Sequence, residues 1–191
     1  MAKDPRVLHG REASLEEQFF SRQSEELRSK LRERQERERM REELRRIAVI
    51  KREETIERML ELGITPATWA AISLVPLVEV AWANGRIDAK ERRAVLAAAE
   101  VNGVVPGSPS HQILDGWLGH RPGGLLLEAW GEYMVELCAA LKPGEKRALR
   151  DELMGRARQV AEAAGGFLGL GNKVSPEEQV VLDELAKVFE G

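Results

Sequence analysis

Residues 82–91 read Trp-Ala-Asn-Gly-Arg-Ile-Asp-Ala-Lys-Glu, and within that run one helix has to stop and another has to start. An apolar helical stretch arrives at Asn84-Gly85. Glycine ends a helix readily in the left-handed conformation because it has no Cβ to clash. Ile87 then precedes Asp88, a strong N-cap, and Glu91 three places on completes a capping box worth roughly 1 kcal/mol. Ala94, Val95, Ala98 and Val101 continue as an apolar stripe, so the corner predicts two helices sharing one core.

A degenerate copy lies near the end of the chain, at Asn172-Lys173-Val174-Ser175-Pro176-Glu177-Glu178. Val174 stands where Ile87 stood, Ser175 replaces Asp88 as N-cap, and Glu178 matches Glu91. Pro176 at the first helical position forfeits no hydrogen bond and presets φ. Val181, Leu182, Leu185 and Phe189 supply the buried stripe. Together the two corners predict a pseudo-repeat, a helix-turn-helix used twice.

The rest of the chain is read around these corners. Residues 1–13 are polar and predicted loose. Ser14 and Glu17 form a third capping box, and from there to Leu62 there is no Pro or Gly. That predicts a helix over 14–62, roughly 70 Å long at 1.5 Å per residue, whole or in two pieces. Leu15, Phe19, Phe20, Leu27 and Leu31 form its first apolar stripe. Between Arg32 and Arg39 it is nearly all charge, with i, i+4 pairs of opposite sign such as Arg32/Glu36 and Glu33/Arg37. The expectation is an arm that projects over its first two thirds and docks by its last third.

Gly63 ends that helix. Residues 63–191 are predicted to form the bundle. Thr65 is the expected N-cap of the next helix, which is apolar nearly all round and therefore central. Pro76 inside it predicts a kink near Ile72, at a cost of about 3 kcal/mol. Helices are expected over 89–101, 110–118, 125–141, 145–164 and 176 onward. Period-2 alternation is absent, so no strand is predicted and the fold class is all-α.

The corner pattern resembles the TerB-like (tellurite-resistance-type) helical domain over about residues 64–191. In that family an apolar helix runs into Trp-Ala-Asp-Gly, then a polar residue, an apolar one, and a helix opening with an acidic cap and Glu. Here the text is Val80-Ala81-Trp82-Ala83-Asn84-Gly85-Arg86-Ile87-Asp88, with Glu91. Gly165-Gly166-Phe167-Leu168-Gly169-Leu170-Gly171, followed by Val174, Ser175 and Glu178, looks like the second half of such domains. The resemblance implies a compact bundle of two pseudo-repeated halves and a divalent cation, Ca²⁺ or Mn²⁺, as a candidate ligand of Asn84, Asp88, Glu91 and Glu178. One departure bears on that. The family's Asp is Asn84 here, which removes a charge.

A shorter likeness covers residues 11–31. Arg11-Glu12, the paired acids Glu16-Glu17 and the paired aromatics Phe19-Phe20, followed by Glu25-Glu26-Leu27, are similar to the inhibitory segment of the mitochondrial F1-ATPase inhibitor protein. It implies regulation of a rotary ATPase. The alternative is a docking or oligomerising helix.

The capping reading competes with the metal reading, because a carboxylate that accepts backbone N–H groups has fewer oxygens to offer, and Ca²⁺ wants 6–8. No other chemistry surfaces. His9, His111 and His120 fall on separate segments without zinc-motif spacing. Cys138 has no sequence-adjacent base to activate it, and a single Cys forms no internal disulfide and fits a reducing cytoplasm. The glycines at 165–171 follow a helix and lack the Gly-Lys-Ser/Thr of a phosphate loop. With no nucleophile–base pair or cofactor motif, an enzyme is not expected. A net charge of −3 predicts no general affinity for nucleic acid. The most apolar run, Trp69 to Ala83, is shorter than the roughly 20 residues of a membrane span and carries Glu79. The reading is a non-enzymatic helical adaptor, with Leu15, Phe19, Phe20, Leu27 and Leu31 as the contacts for a protein partner or a second copy.

Overall fold

The computed structural model describes residues 5–164 and 174–190, with side chains described for residues 21–163 and 174–190. The described residues are helical throughout their regular structure and include no strand. The order is α1 (Pro5–Ala48), α2 (Glu53–Glu61), a 3₁₀ helix (Trp69–Leu74), α3 (Val75–Ala81), α4 (Ala89–Val101), α5 (Pro109–Gly119), α6 (Gly124–Ala140), α7 (Pro143–Ala164) and α8 (Pro176–Lys187). No described helix is long and apolar enough to cross a membrane. The chain divides into two units, Met1–Glu42 and Glu43–Gly191.

The first unit is helix. α1 opens at Pro5, whose fixed φ suits a first helical position. The structure differs from the loose segment expected over 1–13 at residues 5–13, which are helical, and Ser14 lies inside the helix; residues 1–4 lie outside the described residues. Side chains over residues 21–42 are almost all exposed, and several of the charged ones pair along the helix. Lys30 donates to Glu26 at 2.7 Å and Arg41 to Glu38 at 3.0 Å. Each such pair supports the helix by only a few tenths of a kcal/mol, but the pairs need no second layer to form.

The second unit is built around α3, every residue of which is buried. Residues 75–81 offer apolar surface in all directions, so helices must cover them on several sides. α4, α6, α7, α8 and the 3₁₀ helix do so. Trp130 of α6 is buried there and meets Phe189 edge to face, centroids 6.5 Å apart. A smaller cluster holds Leu44, Ala48, Ile50 and Ile56, with Leu60, Trp69 and Tyr133 against it.

Two helix breaks stand out, the first of them the two-piece alternative for the long helix. The first separates α1 from α2 at residues 49–52. Val49 takes a left-handed φ of +57°. For a β-branched residue this costs about 1–3 kcal/mol. Burial of Ile50, 1% exposed, offsets it by a similar amount.

The second break corrects the kink expected near Ile72. Thr65 does not cap a helix. Its amide donates to the Thr68 hydroxyl at 2.8 Å, and that hydroxyl donates to the Gly63 carbonyl at 2.7 Å. A 3₁₀ segment follows, and the α-helix begins only at Val75. Pro76 thus sits in a first turn, where its missing N–H removes no intrahelical bond.

The remaining boundaries follow local chemistry. Gly63, at φ +78°, closes α2, with the Gly63 amide on the Leu60 carbonyl and the Ile64 amide on the Met59 carbonyl. This is the Schellman arrangement, and it brings Ile64 into the core. α5 starts at Pro109 behind a Ser108 cap, and α7 takes in Pro143 and Gly144, each slightly earlier than expected.

Candidate functional site

The corner at residues 82–91 folds as its residues dictate. Gly85, at φ +83°, closes a turn in which its amide donates to the Trp82 carbonyl at 2.9 Å. The Trp82 indole N–H donates to the carbonyl of Trp117 at 2.9 Å and so ties the turn to α5. The Asn84 side-chain oxygen accepts the Arg86 amide at 3.1 Å, a local Asx turn.

Asp88 Oδ1 then accepts the amides of Lys90 at 2.6 Å and Glu91 at 2.9 Å. Glu91 reaches back and accepts the Asp88 amide on Oε2 at 2.6 Å. In the second corner Glu178 Oε2 accepts the Ser175 amide at 2.6 Å, and Ser175 Oγ accepts the Glu178 amide at 3.2 Å. Both corners are complete capping boxes. Ile87 and Val174, in matching places, are half-buried against the same core. The pseudo-repeat therefore holds from Val174 onward, while the glycines at 165–171 and Asn172-Lys173 lie outside the described residues.

The parallel extends into the interior. Glu91 is 2% exposed and Glu178 is 3% exposed, both far more buried than an acid usually is. Burial pushes the Glu91 carboxyl above its ordinary range, the Asp88 amide opposes that, and the negative charges of Asp88 and Glu178 add to the rise. Asp88 is exposed and held below its ordinary range, chiefly by the Glu91 and Lys90 amides that it accepts. Glu91 and Glu178 thus share one electrostatic environment, although they come from α4 and α8.

Of the residues named as metal ligands, Asn84, Asp88, Glu91 and Glu178 each commit one oxygen to a backbone amide. Among the described residues there is no group of three or more His, Cys, Asp or Glu placed to hold a metal ion. The residues present do not fit a Ca²⁺ or Mn²⁺ cage, because the donor count falls short of what such ions take. They fit helix capping.

The other candidate surface is the α1 stripe. Leu27 is 60% exposed and Leu31 is 48% exposed, one helical turn apart. The side chains of Leu15, Phe19 and Phe20 lie outside the described residues.

Two features were not legible from sequence. Glu79 on α3 is 7% exposed and has no hydrogen bond among the described residues. Among the described residues its one ionic neighbour is Arg121, at 3.9 Å. Burial pushes its carboxyl up, and Arg121 opposes the rise. An acid in an otherwise apolar helix was the available signal. Glu136 on α6 accepts the amides of Lys51 at 2.8 Å and Arg52 at 3.2 Å, and the Thr55 hydroxyl at 2.9 Å. It holds the two amides just ahead of α2 from another helix, and nothing near Arg52 in sequence announces it. Cys138 is buried and its thiol is pushed up by that burial, which disfavours the thiolate. His111 is half-buried and its amide is capped by Ser108, while His120 is exposed. Set against known protein families, curated proteins and solved structures, the chain matches none of them.

Proposed function

We propose that this chain is a non-enzymatic helical adaptor of the TerB-like kind, which engages a protein partner through the apolar stripe of α1. The observation that carries the reading is the exposure of Leu27 and Leu31 among described α1 side chains that are mostly charged. Burying one leucine fully is worth roughly 1.5–3 kcal/mol, so two neighbouring leucines left in water are a strong incentive for contact.

The spacing favours a partner's groove over a long coiled coil. Taken as a heptad seam, Leu27 and Leu31 would be followed by Arg34 and Glu38, so the apolar seam runs out within two turns. A two-stranded coil needs three or four apolar heptads. A short apolar anchor flanked by interleaved Arg and Glu suits an apolar groove with a mixed-charge rim. The twin capping boxes, with matched apolar residues before each, support the TerB-like reading of the body.

The test is affinity capture with the full chain and with Leu27→Asp/Leu31→Asp. Proteins held by the first and lost by the second identify the partner. Capture of the same proteins by both would remove α1 as the contact.

A further inference from the structure

A cleft of about 370 Å³ lies between the first turns of α7 and the residues after α8, lined by Pro143, Lys146, Arg147, Arg150 and Phe189. Phe189 is 6% exposed and fixed by its edge-to-face contact with Trp130, so it makes a rigid apolar wall. The other wall carries three cations and no acid.

Those cations serve nothing within the chain. Lys146 and Arg150 are like charges at i, i+4, a spacing that weakens a helix by a few tenths of a kcal/mol. Further along α7 the same spacing holds an opposite pair, Arg156 and Glu152. Arg147 and Arg150 are exposed, and among the described residues neither makes an ion pair. The acids close by in sequence do not neutralise them. Glu145 accepts the Lys142 amide at 2.8 Å, while Asp151 and Glu190 are exposed and pair with neither arginine. A cleft with charge of one sign and a low-dielectric wall concentrates its field on what enters it.

We propose that this cleft binds a small phosphomonoester, with the phosphoryl oxygens on Lys146, Arg147 and Arg150 and the organic body on Phe189. Guanidinium forks match phosphoryl oxygens in shape. A phosphomonoester carries about −1.5 to −2 at pH 7, which suits three cations better than the single charge of a carboxylate. The cleft is near the lower end of small-molecule sites, about 300–1,000 Å³, and so has room for a body beside the phosphoryl group. The inference does not depend on what α1 binds.

The experiment is amide NMR on the full chain, titrated at pH 7.5 with phenyl phosphate, inorganic phosphate and a phosphotyrosyl peptide. Phenyl phosphate is expected to shift the amides of residues 143–150 and 189, and to bind more tightly than inorganic phosphate. Arg147→Gln/Arg150→Gln should weaken it about tenfold or more, with thermal unfolding unchanged because both side chains are exposed. At pH 5 the ligand loses one charge, and binding to the unaltered chain should weaken about fivefold. No shifts at millimolar phenyl phosphate, equal shifts at the cations of α1, or unchanged affinity in the arginine variant would overturn the proposal. Inorganic phosphate binding as tightly as phenyl phosphate would overturn it as well, since Phe189 would then contribute nothing. A peptide bound about tenfold tighter than phenyl phosphate would make the ligand a protein and remove the small molecule. The pH comparison needs no variant, and an affinity unchanged between pH 7.5 and pH 5 overturns the proposal by itself.

Discussion

Glu91 on α4 and Glu178 on α8 are buried acids in the same position of two separate capping boxes, and the charge of Glu178 raises the proton affinity of Glu91. That raised affinity, caused first by burial and increased by the charges of Asp88 and Glu178, gives the body a pH response. A folded-state pKa above the ordinary value means that the folded chain holds the proton more tightly than the unfolded chain. The resulting stability is fully present below the ordinary carboxylate range and is lost as pH rises through the raised value. Glu91→Gln keeps an acceptor for the Asp88 amide. We expect it to flatten the stability–pH curve just above the ordinary range of Glu, measured as urea midpoints between pH 4 and 7. An unchanged curve would assign the response to other groups.

Asp88→Ala and Ser175→Ala should each destabilise the body by about 1 kcal/mol, the usual value of an N-cap. The two caps share no hydrogen-bond partner, so the losses should add in the double variant except for the part that the Glu91–Glu178 charge contact couples. Equilibrium denaturation of the three variants checks this. A loss confined to one corner would contradict the equivalence of the two.

Glu79 is buried with no hydrogen bond among the described residues, and that burial opposes its ionised form more than Arg121 favours it. By the same sign argument its ionisation weakens the fold above the raised pKa. Glu79→Gln should therefore raise Tm at pH 7, by about 2–4 °C if the gain is near 1 kcal/mol. The gain should shrink as pH falls and Glu79 becomes protonated. Arg121 is about half exposed, so Arg121→Ala should cost less than about 1 kcal/mol at pH 7. Calorimetric Tm values at pH 7 and pH 4 separate these outcomes.

Because the corner carboxylates are engaged as caps, titrating millimolar Ca²⁺ or Mn²⁺ into the full chain should give no binding heat. Heat that disappears in Glu91→Gln would show that the unused oxygens can gather a cation after all.

Leu27→Asp/Leu31→Asp should leave the thermal unfolding of the bundle unchanged, since neither side chain is buried. A fall in Tm would mean that those leucines already have a contact to lose.

The sequence by itself determined what could be settled within one turn of helix. The Asp88/Glu91 and Ser175/Glu178 boxes, the Gly63 stop and the all-buried face of α3 each follow from residues a few positions apart. Their geometry is short-range, because a side chain can cap only the amides next to it. The tertiary structure decided what depends on distant partners. It placed a break at Val49 in a run with no breaker, because Glu136 and the pocket for Ile50 outweigh a mild helix preference. It shifted the start of α3 to Val75, so that Pro76 falls in a first turn and the expected kink never forms. It also set Glu91 within electrostatic reach of Glu178, which no spacing in the chain reveals, because packing alone brings α4 and α8 onto one core.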